Sequence, residues 1–121
     1  MTQHYFGSKI IMAWDQAHAD GRPGYTVKYE DGYTSWSPKD VFEAAYIPIG
    51  HVGHMLPHVQ RVVAEKAQND DRITKLDAFL TSGNASNLPS DAVGLMEDQL
   101  KLMRDLSSVL AERLALMIPT E

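Results

Sequence analysis

A chain of 121 residues suffices for one self-sufficient domain, or for a small module with a helical extension. It contains no cysteine, which removes disulfide frameworks and thiolate chemistry and fits a reducing compartment. The formal charge of −5 is shared by both halves, with four Lys and Arg against six Asp and Glu up to residue 50 and seven against ten beyond it. A phosphate-neutralising surface for duplex nucleic acid is therefore not expected.

The start, "MTQHYFGSKIIMAWDQ", has a polar opening and a single lysine before a short apolar run, and nowhere does the apolar run approach a membrane span of ~18 residues. Neither a signal peptide nor a membrane partner is expected. Tyr5 to Trp14 reads as a first strand. Tyr25, Val27 and Tyr29 alternate with Thr26, Lys28 and Glu30, the period of a half-buried second strand. Asp31-Gly32 supplies the positive φ of a tight hairpin, and Tyr33 to Trp36 reads as the return strand. Ser37 is the expected N-cap of a short helix, with Pro38 in its first position, Asp40 in its first turn, and Val41, Ala44 and Ala45 on its apolar face.

The chain changes character near residue 47. Residues 1–47 form the aromatic module, 48–57 a linker, and 58–118 a helical hairpin. A helix opens at Pro57 and runs to about Ser82, with Val59, Val62, Val63, Ile73, Leu76, Phe79 and Leu80 at three- and four-residue intervals. "TSGNASNLPS" is the loop, closed by Ser90 as N-cap with Asp91 in the first turn. The next helix runs to about Met117 and carries Val93, Met96, Leu100, Met103, Leu110, Leu114 and Met117 on one stripe. The expected fold is thus α+β, a three-stranded antiparallel sheet with one short helix followed by a long antiparallel helical hairpin. Such a hairpin leaves Leu95, Leu102, Leu106 and Val109 partly open, so a second copy is expected to complete a four-helix bundle as a homo-oligomer.

Polar residues divide into several groups. Lys66 and Asn69 fall where the repeat asks for apolar residues, which is read either as a slight rotation into solvent or as a register device or polar pocket. His51, His54 and His58 are better read as linker histidines than as zinc or nickel ligands. Asp70-Asp71 and Glu97-Asp98 read as solvated helix faces. No nucleophile elbow and no phosphate-cradling glycine loop is present, so no enzyme, catalytic residue, metal or cofactor is expected. Arg72 and Lys75 stand one helical turn apart, as do Lys101 and Arg104, and with Arg61 and Arg113 such pairs could converge on phosphates in a symmetric oligomer. The aromatics of the first half carry two readings, cross-strand burial in a small sheet, or a stacking platform built on Tyr25, Tyr33 and Trp36.

The ordered set Arg61, Glu65, Arg72, Lys75, Leu76, Phe79, Leu88, Gln99, Leu100, Met103, Leu110 and Arg113 resembles a family of short helical proteins of phage and prophage genomes, related to a small crAss-like phage protein. Leu106 stands where that pattern has an aromatic. Tyr5, Gly7 and Lys9, with Gly24 through Tyr46, resemble a second phage-encoded module. Together these resemblances imply a viral accessory protein in the cytoplasm of an infected bacterial host. By analogy of size and oligomerisation they imply capture of a small nucleotide-derived immune signal of the Thoeris or CBASS type. The ligand-binding residues this reading names are Arg61, Arg72, Lys75, Arg104, Arg113, Tyr33, Trp36 and Lys39. The alternatives are a module that grips a polypeptide through the aromatic sheet, or an enzyme that cleaves a nucleotide.

Overall fold

The computed structural model describes residues 2–118 and divides into two units, Met1–Tyr46 and Ile47–Glu121. In the first unit three antiparallel strands, β1 (Met12–Asp15), β2 (Gly24–Lys28) and β3 (Thr34–Pro38), lie in the order β1-β2-β3, followed by helix α1 (Lys39–Ala45). The β2–β3 turn is set by Gly32, which takes φ 90° while Asp31 stays at negative φ. Tyr29 N–H donates to the Tyr33 carbonyl, so the loop is three residues long with glycine in the left-handed position, and not the two-residue turn expected from Asp31-Gly32.

The first strand is a correction. Its ladder covers only Met12↔Lys28 to Asp15↔Tyr25, because β2 offers no residues opposite Tyr5–Ile11. The helix caps move by one residue for a common reason. Pro38 and Pro89 both sit at φ −57°, ψ 147°, the extended geometry of a residue just outside a helix, so they occupy the N-cap positions expected for Ser37 and Ser90. Ser37 belongs to β3, and Ser90 opens its helix. Asp40 and Asp91 do lie in the first turns, where a carboxylate meets the helix dipole favourably. The face that α1 turns to the sheet is also different. Val41, Ala44 and Ala45 are exposed, and Phe42 instead stacks on Tyr25 at 4.2 Å and on Tyr46 at 5.0 Å.

Val27, at 1% exposure, is the one fully buried large side chain of this unit among the described residues. Half-buried rings supply the remaining cover. Trp36 is held from four sides: its indole N–H donates to the Gln16 carbonyl at 2.7 Å, His18 lies 4.7 Å from it, the Arg22 guanidinium stands 5.2 Å over the ring, and Gly24 packs against its edge. Any Cβ at position 24 would collide with the indole and with the Ser37 carbonyl. Gln16 Oε1 accepts from both Trp14 Nε1 and Thr26 Oγ1, so one side chain ties the β1–β2 loop to both strands.

The second unit is the helical hairpin. α2 (Pro57–Thr81) opens with proline in its first turn, where the missing N–H costs nothing, and ends before Gly83, which takes φ 87°. A 3-10 turn (Asn84–Asn87) leads to α3 (Ser90–Met117). Val59 and Val62 on α2 bury against the stripe of α3 on which Leu100 and Leu110 lie, while Ala85 is buried at the turn. Neither helix is long and apolar enough to cross a membrane among the described residues.

Candidate functional site

A polar layer crosses the middle of the hairpin. Asn69 is 8% exposed, and its Nδ2 donates to the Met103 carbonyl at 2.8 Å. Burial this complete removes the reading in which the helix rotates this residue into solvent. Asp70, expected on a solvated face, faces α3 instead: Lys66 Nζ donates to it at 2.7 Å and Ser107 Oγ at 2.5 Å. The hydrogen bond from Lys66, then that from Ser107, then the Lys66 charge hold the Asp70 carboxyl below its ordinary value, against the raising effect of partial burial. Every buried side-chain polar atom of the described residues has a partner, so the layer leaves no orphaned donor or acceptor for a ligand to satisfy.

The cations divide between the two flanks of the hairpin. Asp77 lies on the same flank of α2 as Asp70 and meets Arg104 of α3 at 3.4 Å. At ~100° per residue, Arg61, Arg72 and Lys75 sit roughly 140–160° round α2 from Asp77, on the other flank. Arg113 is nine residues beyond Arg104, about half a turn round α3, and shares that second flank. The cross-links Asn69–Met103, Asp70–Ser107 and Asp77–Arg104 fix an antiparallel register. In this register Arg61 comes within about one turn of the level of Arg113 near one end of the hairpin, and Arg72 and Lys75 lie level with the middle of α3. That flank carries Arg61, Arg72, Lys75 and Arg113 together with Glu65, all exposed, while Arg104 lies on the other flank with its own carboxylate. Lys75 is paired along its helix with Asp71 at 2.8 Å.

The first-unit residues have different surroundings. Trp36 is packed as described above, Lys39 is exposed at the start of α1, and Tyr33 is 65% exposed with its ring 6.0 Å from Tyr29. Tyr25 is closed over by Phe42, and its hydroxyl donates to Glu43 Oε2 at 2.9 Å, which raises the pKa of the phenol. Lys9 Nζ stands 4.5 Å over the Tyr29 ring and, with Ile10, Ile11 and Asp31, borders a shallow hollow. His51, His54 and His58 are all exposed, and no three His, Asp or Glu side chains of the described residues gather as a metal site. Missed in the sequence were Ser107, whose partner is 37 residues away, and Asp77, whose ion pair crosses between helices.

Comparison with curated proteins and with solved structures gives no match. A family model does match: the Sequestin model covers residues 56–116, which is 61 of the 121 residues and takes in α2, the turn and nearly all of α3. The register layer and the flank that gathers Arg61, Arg72, Lys75 and Arg113 all fall inside that segment. By this match over half its length, the chain belongs to the Sequestin family.

Proposed function

We propose that this protein is a non-enzymatic, phage-encoded anti-defence factor. It captures a nucleotide-derived immune signal of the Thoeris or CBASS type in pockets between copies of the hairpin, in the cytoplasm of an infected bacterium. The observation that carries this reading is the family match itself, since the name Sequestin speaks of sequestration and the match spans the hairpin. The cation flank supports it. Three exposed arginines lie on one flank of the hairpin beside Glu65, and their guanidinium groups on a chain of net charge −5 suit a small anion rather than a duplex. Guanidinium groups offer bidentate contacts to phosphate, so Arg61, Arg72 and Arg113 hold the phosphates, and Lys75 contributes a point charge. Capture without turnover acts stoichiometrically and lowers the free signal only when Kd lies well below its concentration.

The test is a melting-shift screen of the purified chain against cyclic dinucleotides, cyclic trinucleotides and cyclic ADP-ribose isomers. Each hit is then released by heat and weighed by mass spectrometry. A ligand at 100 times its Kd adds about 2.7 kcal/mol, hence a shift of many degrees for a unit of this size. Recovery of the intact ligand supports sequestration, whereas a product of altered mass at substoichiometric protein makes the chain an enzyme. A second reading, a protein-interaction module, is favoured by the exposure of Tyr5, Phe6 and Tyr33 in the first unit. It predicts no shift with any nucleotide and a stoichiometric polypeptide partner.

A further inference from the structure

Every residue of β1, Met12, Ala13, Trp14 and Asp15, is exposed, whereas β2 and β3 both contain covered positions. Helix α1 packs on β2 and β3, and β1 is packed by β2. β1 is therefore an open edge of the sheet, and its hydrogen-bonding phase is fixed at its end. Gln16 N–H donates to the Gly24 carbonyl at 2.9 Å, in the register of Trp14↔Thr26 and Met12↔Lys28. Bonded positions alternate along an antiparallel ladder, so Met12, Trp14 and Gln16 turn their main-chain groups to β2, and Ala13 and Asp15 turn theirs outward. The other side of β2 agrees, since Tyr29 N–H bonds to the Tyr33 carbonyl and thereby assigns Val27 and Tyr25 to β3. No turn or loop of the described residues bonds to the outward groups of Ala13 or Asp15.

Lysine, proline or a bulge ordinarily guards such an edge. The opposite edge strand, β3, ends in Pro38 and carries Thr34, Ser35 and Ser37. β1 has no guard: its ladder runs without a bulge, and it exposes Met12 at 65% and Trp14 at 44% on one face. Asp15 lies on the other face beside Tyr25, with no cation of the described residues within ion-pair distance. We infer that β1 is a docking edge for an extended segment of another protein, which adds a fourth strand to the sheet. The segment sets apolar side chains against Met12 and Trp14 and a lysine or arginine against Asp15. Main-chain groups of Ala13 and Asp15 hold the added strand, and its alternate side chains supply the selection. Directly opposite residues come within about 4.5–5.5 Å at Cβ, close enough for an ion pair with Asp15 and for aliphatic groups on the Trp14 ring. The Trp14 indole N–H is already engaged by Gln16 Oε1, so this ring offers apolar surface rather than a donor. Charge decides against a second copy as the occupant. β1 contains no cation, so pairing it with itself adds a second carboxylate to the edge and neutralises neither.

This inference concerns the first unit alone and shares only the class of partner with the interaction reading above; nucleotide capture by the hairpin stands or falls separately in the melting screen. The probes are displayed random peptides of about ten residues, longer than a typical strand, selected on the full chain. Enriched sequences are expected to alternate apolar residues with Lys or Arg. A synthetic consensus peptide is expected to shift tryptophan emission on binding. Ala13→Pro removes an outward N–H while sparing the ladder to β2, and is expected to weaken that peptide about tenfold or more with an unchanged melting curve. Asp15→Lys is expected to weaken it severalfold and to select acidic residues in place of basic ones. On the unaltered chain, N-methylation of alternate peptide residues is expected to abolish binding in one phase and to spare it in the other. No enriched peptide, a consensus without alternation, or equal binding of both methylated phases overturns the docking edge. Equal affinity of Asp15→Lys overturns the basic partner. Exchange protection of the Ala13 and Asp15 amides that rises with chain concentration, with no peptide present, overturns the inference in favour of self-pairing.

Discussion

The two units solve the problem of a small core in opposite ways. Among the described residues the first buries one aliphatic side chain, Val27, and relies on rings held in place by hydrogen bonds and by glycine, as around Trp36. The second relies on two aliphatic stripes of long helices and inserts one polar layer, Asn69 and Asp70, where a uniform seam would slide. A ring packed against a glycine tolerates no added atom, whereas a helical seam is sensitive to removed volume. Changes of opposite kind should therefore damage each unit. Both tryptophans, Trp14 and Trp36, lie in the first unit and the long helices in the second, so fluorescence and helical circular dichroism read the two separately.

Leu110, at 2% exposure, is the deepest point of the seam, and Leu110→Ala should cost about 2–5 kcal/mol. The loss should appear in the helical melt while tryptophan emission at low temperature stays native. An unmoved helical midpoint would mean that the stripe is not what holds the hairpin. Gly24→Ala makes the opposite change, adding one methyl group between β2 and Trp36. It should cost about 1–3 kcal/mol and shift the fluorescence transition downward, with the helical signal preserved. A fluorescence midpoint equal to wild type would show that the indole is free to move.

Asn69 sharpens the comparison further. Asn69→Ala removes the bond to the Met103 carbonyl and some packing, and should cost about 1–2 kcal/mol; Asn69→Leu replaces polar by apolar volume and should be near neutral in stability. Near-neutrality of the leucine variant combined with altered assembly would identify specificity, not stability, as the use of this residue. Asp70 should give the smallest effect, since its side chain is 41% exposed and water screens much of its ion pair. Its carboxyl is depressed below the ordinary 3.8, so the stabilisation is complete above pH 3.8 and is lost as pH falls through the lower folded-state value. Asp70→Asn should therefore melt below wild type at neutral pH by an amount worth no more than about 1 kcal/mol, and the difference should shrink on acidification below that point. A difference that grows in acid would contradict the assignment.

Much of this architecture is legible in the residues, and the misses have physical causes. Alternation in Tyr25–Tyr29, the Asp31-Gly32 pair and the helical spacing after Pro57 place β2, β3, α2 and α3 closely. The first strand is overdrawn because alternation shows that a segment could pair, while its length depends on a partner that ends at Lys28. The caps slip by one because Ser-Pro and Pro-Ser each offer two residues fit for the boundary, and the proline takes the extended position. At the candidate site Asn69 is visible as a polar break in an apolar repeat, but its partner is not, since a main-chain carbonyl carries no signature in the sequence. Arg104 reads like the other basic residues until the register sets Asp77 beside it and leaves Arg61, Arg72 and Arg113 on the other face.

The central claim is capture without chemistry. Its most direct measurement is a calorimetric titration of the full chain with whichever nucleotide gives the largest melting shift, at protein concentrations far above Kd, followed by the mass of the nucleotide released on heating. The account predicts saturation at a fixed ratio of ligand to chain, an unchanged ligand mass, and a large loss of affinity in Arg61→Ala and Arg72→Ala. Heat that continues past any fixed ratio with a product of altered mass, or binding indifferent to both substitutions, would contradict it.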